Sequence, residues 1–101
     1  MKNLLVFCAF LAILSCNKAK GKTQIVEVSC GQCQFGLASQ KGCDLAVRID
    51  EQAFFVDGAH IDDFGDAHDE NSGFCEVIRK AEISGKIVHD RFQVSSINLL
   101  D

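Results

Sequence analysis

The chain contains no proline, no tryptophan and no tyrosine, and basic residues are scarce. Ten lysines and arginines stand against fourteen aspartates and glutamates, which gives a net charge of -4. Phosphate binding requires clustered basic side chains. Any base stacking would depend on phenylalanine, because the larger aromatic residues are absent. These deficits together exclude nucleic acid as a partner.

The chain also lacks an apolar run of the roughly 20 residues that a transmembrane helix needs. Residues 4–14 are apolar throughout, but this run is only about half that length. A charged tip at residues 1–3 precedes it and Ser15-Cys16 follows it, which is the layout of an export signal. We therefore expect residues 1–15 to be a signal peptide.

The end of this segment, Ile-Leu-Ser-Cys at residues 13–16, resembles the lipobox of bacterial lipoproteins. The resemblance implies that Cys16 becomes the first residue of the mature protein and carries lipid. More than one acyl chain makes such an attachment durable. We expect an exported protein of the bacterial cell envelope, anchored to a membrane at Cys16. Plain secretion, with Cys16 as a free thiol, is the alternative.

Two regions follow the signal. Residues 16–22 form a polar tether whose three lysines suit anionic headgroups. Residues 23–101 suffice for one small domain, with six basic and fourteen acidic side chains. A domain of this size often needs a disulfide, a metal or a partner as a staple. We expect a monomer that attracts cations rather than anions.

The apolar pattern of this domain predicts mostly β structure. Leu45, Val47 and Ile49, for example, alternate with less apolar neighbours. The expected strands cover residues 24–29, 45–49, 53–56 and 81–88, with a last strand from residue 92 onward. The phase of the last strand slips at Ser95-Ser96, which indicates a bulge. Ser72 is expected to cap a short helix over residues 73–80.

The resulting order is three strands, one short helix and two strands. This is the order of the OB-fold, a small five-stranded Greek-key barrel. Closure of the barrel would also protect the sheet edges. We predict an OB-like barrel of β-β-β-α-β-β order, with an open α+β sheet as the alternative.

Loss of Cys8 with the signal and lipidation of Cys16 leave an even set of four cysteines. These are Cys30, Cys33, Cys43 and Cys75. In an exported chain they indicate two disulfides first, in a pairing that the sequence does not rank. A bridge from the loop of residues 30–43 to Cys75 would stabilise the domain by about 2–4 kcal/mol. The main interpretation is a non-enzymatic, membrane-tethered binding module without a cofactor, stapled by these cysteines.

Metal binding and redox chemistry are the two alternatives. The spacing of Cys30 and Cys33 lets two thiolates share one ion, and Cys43 or Cys75 could complete a tetrahedral site with His68 or His60. Thiolate and imidazole ligands select zinc or copper. A thiol–disulfide oxidoreductase would use the same CGQC motif. Thioredoxin-like folds, however, place a cis-proline beside that motif, and this chain contains no proline. Covalent haem attachment is excluded, because Gln34 occupies the place of the required histidine.

A long acidic loop is expected between the third and fourth strands. Its candidate binding residues are Asp57, Asp62, Asp63, Asp66, Asp69 and Glu70, interspersed with His60 and His68. We expect this acidic loop to hold a cationic ligand, either a metal ion or a basic protein segment. The spacing does not match an EF-hand, and a solvated surface loop is the alternative. His89 lies in an expected turn and should be exposed.

Two segments carry a family resemblance, CGQCQFG at residues 30–36 and GCDLAVRID at residues 42–50. They resemble a family of small exported bacterial proteins of unknown function, whose members often carry lipoprotein signals. The similarity continues at residues 55–58, 66–68, 73–75 and 84–86. It implies that the four cysteines and His68 belong to the family's pattern, and it implies no particular activity.

Overall fold

Five strands form the domain in the computed structural model, which describes residues 23–100. They are β1 (Thr23–Cys30), β2 (Leu45–Ile49), β3 (Gln52–Asp57), β4 (Arg79–Val88) and β5 (Arg91–Leu99). One helical turn, α1 (Gly31–Gln34), follows β1, and a 3₁₀ helix (Ile61–Phe64) lies between β3 and β4. The predicted signal peptide, the predicted lipidation site Cys16 and the predicted tether fall outside the described residues. No helix within the described range is long and apolar enough to cross a membrane.

The sheet closes into a barrel with the strand order β1-β2-β3-β5-β4. β1 pairs in antiparallel fashion with β2 on one side and with β4 on the other. β3 and β5 pair in parallel, through Val56 with Phe92 and Asp57 with Gln93. The closed barrel confirms the predicted OB-like architecture and excludes the open sheet.

Two tight hairpins connect neighbouring strands. Asp50 and Glu51 join β2 to β3 with φ angles of 49° and 72°, and His89 and Asp90 join β4 to β5 with φ angles of 53° and 62°. Positive φ at both central residues is the mark of a type I′ turn, whose twist matches that of the flanking strands. His89 is exposed in its turn, as predicted.

The predicted bulge in β5 is confirmed by the pairing of β4 with β5. Ser84 pairs with Ser96, whereas its neighbour Gly85 pairs with Val94, so Ser95 is the extra residue. Gly85 has a φ of 153°, and a Cβ there would lie 2.1 Å from the carbonyl oxygen of Gln93. Only glycine fits opposite this bulge.

The barrel interior is filled by alternate residues of every strand, as the period-two pattern requires. Its buried apolar side chains are Val26, Val28, Cys30, Leu45, Val47, Phe54, Val56, Ile61, Phe74, Ala81, Ile83 and Phe92. Cys30 is the last inward-facing residue of β1 and is fully buried. One thiol therefore belongs to the core at the end of the barrel.

The helix predicted over residues 73–80 is wrong. The chain makes a single turn there, with the N–H groups of Glu76 and Val77 donating to the carbonyl of Gly73, and β4 already begins at Arg79. In a helix the carbonyl of Phe74 would accept an N–H four residues later. Here it accepts the N–H of Cys30, at the end of β1, instead. The short helix between β3 and β4 is instead the 3₁₀ helix, in the segment predicted as an acidic loop.

Candidate metal centre

The pairing of β1 brings the three cysteine-bearing segments to one end of the barrel. Cys30 ends β1 and pairs with Leu45 of β2, so Cys43 arrives from one side only two residues before that pair. Val28 pairs with Arg79 at the start of β4, so the turn containing Cys75 arrives from the other side. Cys33 returns towards Cys30 through α1. Strand register therefore makes one cluster from residues far apart in the chain.

The sulfur atoms of the four cysteines all lie within 4.8 Å of one another. The Sγ of Cys43 is central, at 2.7 Å from the Sγ of Cys30, 2.6 Å from that of Cys75 and 3.8 Å from that of Cys33. Sulfurs bound tetrahedrally to zinc at about 2.3 Å lie about 3.8 Å apart. All four are free thiols. The thiol cluster is thus compact enough to hold one metal ion.

The four thiols differ in exposure. Cys30 is fully buried, Cys43 and Cys75 are half-buried, and Cys33 is exposed. The site consequently lies at the surface, with a buried floor and one open side at Cys33.

Hydrogen bonding within the cluster spreads the pKa values of its thiols. The hydrogen bond with Cys30, together with burial, raises the pKa of Cys33 to about 12. Burial and hydrogen bonds with neighbouring sulfurs raise the pKa of Cys43 as well. Burial opposes ionisation of Cys30, but hydrogen bonds from Cys33 and Cys43 lower its pKa overall. The pKa of Cys30 is thus lowered while those of Cys33 and Cys43 are raised, and a bound cation would displace the protons of its thiol ligands.

Gln32 connects the CGQC turn to the segment that carries Cys43. Its side-chain carbonyl accepts the N–H of Asp44 at 2.8 Å, and its amide donates to the Asp44 carboxylate at 2.8 Å. Gln40 donates to the same carboxylate at 2.8 Å. These hydrogen bonds from Gln40 and Gln32 lower the pKa of Asp44. This bracing fixes Cys43, the residue before Asp44, against the helical turn.

The turn containing Cys75 is attached to the barrel by two side chains. Gln34 donates to the carbonyl of Cys75 at 2.9 Å. The hydroxyl of Ser29, which is fully buried, lies 2.7 Å from the carbonyls of both Phe74 and Val77. These contacts hold Cys75 beside the end of β1.

Gly31 lets α1 approach the barrel. A Cβ at this position would lie 2.7 Å from the Phe55 ring, 3.0 Å from Ala46 and 3.0 Å from Leu37. The glycine of the CGQC motif is therefore required by close packing, because any larger side chain would displace the turn that positions Cys33.

The histidines proposed as ligands stand apart from the thiols. His68 has a side chain 79 % exposed and lies 3.9 Å from the carboxylate of Asp66. His60 begins the 3₁₀ helix, where its Nδ1 accepts the N–H of Asp62. Among residues 23–100, the group of side chains close enough to share an ion with the thiols contains the four cysteines and neither histidine.

The acidic residues are mostly engaged in local structure. Asp57 lies in β3 and receives Nε of Arg91 at 2.9 Å. The Asp63 carboxylate accepts the N–H of His60, and that of Asp69 accepts the N–H groups of residues 71 and 72. Asp62, Asp66 and Glu70 are exposed. The acidic segment nevertheless touches the thiol cluster, because the N–H of Cys75 donates to the carbonyl of Ala67 at 2.9 Å.

Sequence reasoning identified the four thiols and missed the polar side chains that position them. Ser29, Gln32, Gln34 and Asp44 each lie within two residues of a cysteine, and that proximity was the only signal available. Their partners are 12 to 48 residues distant, which no local pattern reveals.

The fold and the site define a small closed β-barrel with a four-cysteine cluster at one end. The chain belongs to a family of unknown function (DUF6370), whose sequence model matches residues 24–100. No curated protein and no solved structure gives a significant match.

Proposed function

We propose that this protein is an exported, lipid-anchored metal-binding protein whose four cysteines hold one zinc or cuprous ion. The convergence of four sulfurs within 4.8 Å of one another carries the proposal. Four thiolates form a tetrahedral zinc site, and soft thiolates also select Cu(I).

The central position of Cys43 favours a metal over two disulfides. Its sulfur contacts both Cys30 and Cys75 closely, at 2.7 and 2.6 Å. A disulfide can join Cys43 to only one of them, whereas one ion can bind all four thiolates.

Thiol counting combined with metal analysis tests the proposal. The sample is the full chain carrying Cys8→Ser and Cys16→Ser, so that only the four cluster thiols remain; we refer to it as the four-thiol chain. Purified without reductant or chelator, it should contain about one equivalent of zinc or copper, and denaturation in chelator should release four reactive thiols. A metal-free sample with no reactive thiols would contradict the proposal.

A disulfide-stapled binding module is the second candidate, favoured by the closeness of the Cys43 sulfur to the sulfurs of both Cys30 and Cys75. Cys43 would then pair with one of these two residues, and the remaining two cysteines would pair with each other. Peptide mapping of the same sample without reduction distinguishes this pairing from a metal site.

A thiol–disulfide oxidoreductase is less well supported by the site. The first thiol of the motif, Cys30, is fully buried, and the exposed thiol, Cys33, has a pKa raised to about 12. An attacking sulfur should be an accessible thiolate, and neither cysteine combines accessibility with a low pKa.

The acidic loop is proposed to attract cations towards the cluster. Its link to the site is the hydrogen bond from Cys75 to Ala67, between Asp66 and His68. The negative electrostatic potential of an acidic surface accelerates the association of cations, and added salt weakens this effect. Changing Asp62, Asp63, Asp66 and Asp69 to Asn should slow zinc association at low salt while the barrel stays folded. Unchanged association rates, measured by stopped flow at low salt, would contradict this role.

Lipid anchoring at Cys16 is tested independently of the metal. Expressed in a bacterium supplied with labelled palmitate, the natural chain should incorporate label and sediment with membranes. The Cys16→Ser chain should lose both properties. An unlabelled natural chain would contradict anchoring and leave the metal proposal standing.

A further inference from the structure

Exposure sets one of the four thiols apart. Cys30 is buried, Cys43 and Cys75 are half-buried, and Cys33 is exposed. The Cys33 sulfur still lies 3.8 Å from the Cys43 sulfur, which is about the separation of two sulfurs bound to one zinc ion, so Cys33 is placed to be a ligand on the open side of the site.

The polar contacts that hold Cys43 and Cys75 come from Gln32 and Gln34, on either side of Cys33, and do not depend on the Cys33 side chain. Cys30 is the end of β1 and part of the core. Cys75 is held through its carbonyl by Gln34 and through its N–H by Ala67, and Cys43 is braced through Asp44 by Gln32. Cys33 sits on a helical turn of four residues, with its N–H donated to the Cys30 sulfur at 3.3 Å.

The thiol cluster lies at the opposite end of β1 from the first residue of the strand. The strand runs for eight residues from Thr23 to Cys30. At about 3.3 Å per residue this places Cys30 about 23 Å along the strand from Thr23. The exposed Cys33, next to Cys30, is therefore remote from the point where the preceding segment joins the domain.

Resting on the proposed function, we infer that Cys33 is the exchange ligand of the metal site and that the ion passes through it to a thiol-bearing acceptor. Cys30, Cys43 and Cys75 retain the ion while the fourth position changes partner. An acceptor thiol binds the metal and gives up its proton, the bond between the metal and Cys33 breaks, and the Cys33 sulfur takes up a proton. Catalytic zinc sites likewise hold their ion with three protein ligands and leave the fourth position to water or substrate.

The test compares single cysteine variants of the four-thiol chain, loaded with zinc. Cys33→Ser should still bind about one equivalent of zinc, with an affinity lower than that of the parent. It should also release zinc to the chelator EDTA faster than the parent. Cys43→Ser, which removes the central sulfur, should lose binding altogether. Circular dichroism of each variant reports whether the barrel remains folded.

Alkylation provides a second readout on the unmutated four-thiol chain. With zinc bound, iodoacetamide should modify Cys33 first, and the singly modified protein should retain its ion in native mass spectrometry. Glutathione, used as the acceptor probe, should accelerate zinc transfer to EDTA in the parent.

The outcomes separate the two proposals. A four-thiol chain that binds neither zinc nor copper overturns the proposed function. The exchange role is overturned if the chain binds zinc but Cys33→Ser and Cys43→Ser lose it equally. It is also overturned if all four thiols of the zinc-bound chain are alkylated equally. Either result indicates a closed structural site.

Discussion

Ser29 provides a sharp test of how the barrel holds the turn that carries Cys75. Its side chain is fully buried, and its hydroxyl lies 2.7 Å from two carbonyls, those of Phe74 and Val77. Ser29→Ala removes the hydroxyl without adding volume. The Phe74 carbonyl still accepts the N–H of Cys30, so the loss of the donor falls on the carbonyl of Val77.

The expected loss follows from the burial of these groups. Leaving a buried acceptor unsatisfied destabilises a protein by about 1–3 kcal/mol. For a domain of this size each kcal/mol lowers the melting temperature by about 4–8 °C. We therefore expect the melting temperature of Ser29→Ala to fall by at least about 4 °C. Zinc binding should weaken as well, since Cys75 lies on the turn that Ser29 holds.

Circular dichroism is the suitable assay, because the chain has no tryptophan or tyrosine to report unfolding by fluorescence. Melting of the four-thiol chain is measured with reductant and chelator, and again with saturating zinc. Ser39→Ala, in the exposed part of the loop before β2, is the matched control and should change stability by less than about 0.5 kcal/mol. Equal melting temperatures for the two variants would refute the role assigned to Ser29.

Three further predictions follow from the same contacts. Gly31→Ala should lower the free energy of unfolding by about 1–3 kcal/mol, measured in urea, because the added methyl group meets Phe55; an unchanged midpoint would contradict that packing. Gln32→Ala should weaken zinc binding about 10- to 100-fold in chelator competition, since Cys43 loses its bracing; an unaltered affinity would show that the bracing is not needed. Asp69 has a pKa held below its usual value by N–H groups of Asn71 and Ser72, so its contribution to stability is present above the ordinary carboxyl pKa and disappears as pH falls through the lowered one. Asp69→Asn should therefore melt with less dependence on acid pH than the parent, and parallel pH profiles would refute this.

Local pattern was sufficient for most of the barrel. Leu45, Val47 and Ile49 alternate along β2 as predicted, and the slip at Ser95 identified the bulge. The prediction of a helix at residues 73–80 was wrong. The i,i+4 pair Phe74 and Ile78 fitted a helical face, but the carbonyl of Phe74 accepts the N–H of Cys30 in β1, 44 residues away in the sequence. Competition of this kind depends on tertiary contact and leaves no trace in the local pattern.

The candidate site, like the fold, could be predicted from the sequence only in part. Residue chemistry alone identified the four cysteines as one functional set, because an even number of cysteines in a small exported domain is typical of disulfide pairing or metal binding. It also suggested His68, whose side chain the fold leaves exposed near Asp66.

The sequence by itself determined an acidic, mostly β domain with four thiols, since strand periodicity and charge are local properties of the chain. Only the tertiary structure decided that the sheet closes and that these thiols meet at one point. β1 lies between β2 and β4, and its register brings Cys43 to one side of Cys30 and Cys75 to the other. Distances between residues 32 to 45 positions apart depend on which strands pair, and the pairing is settled by closure of the whole barrel rather than by any segment of the chain.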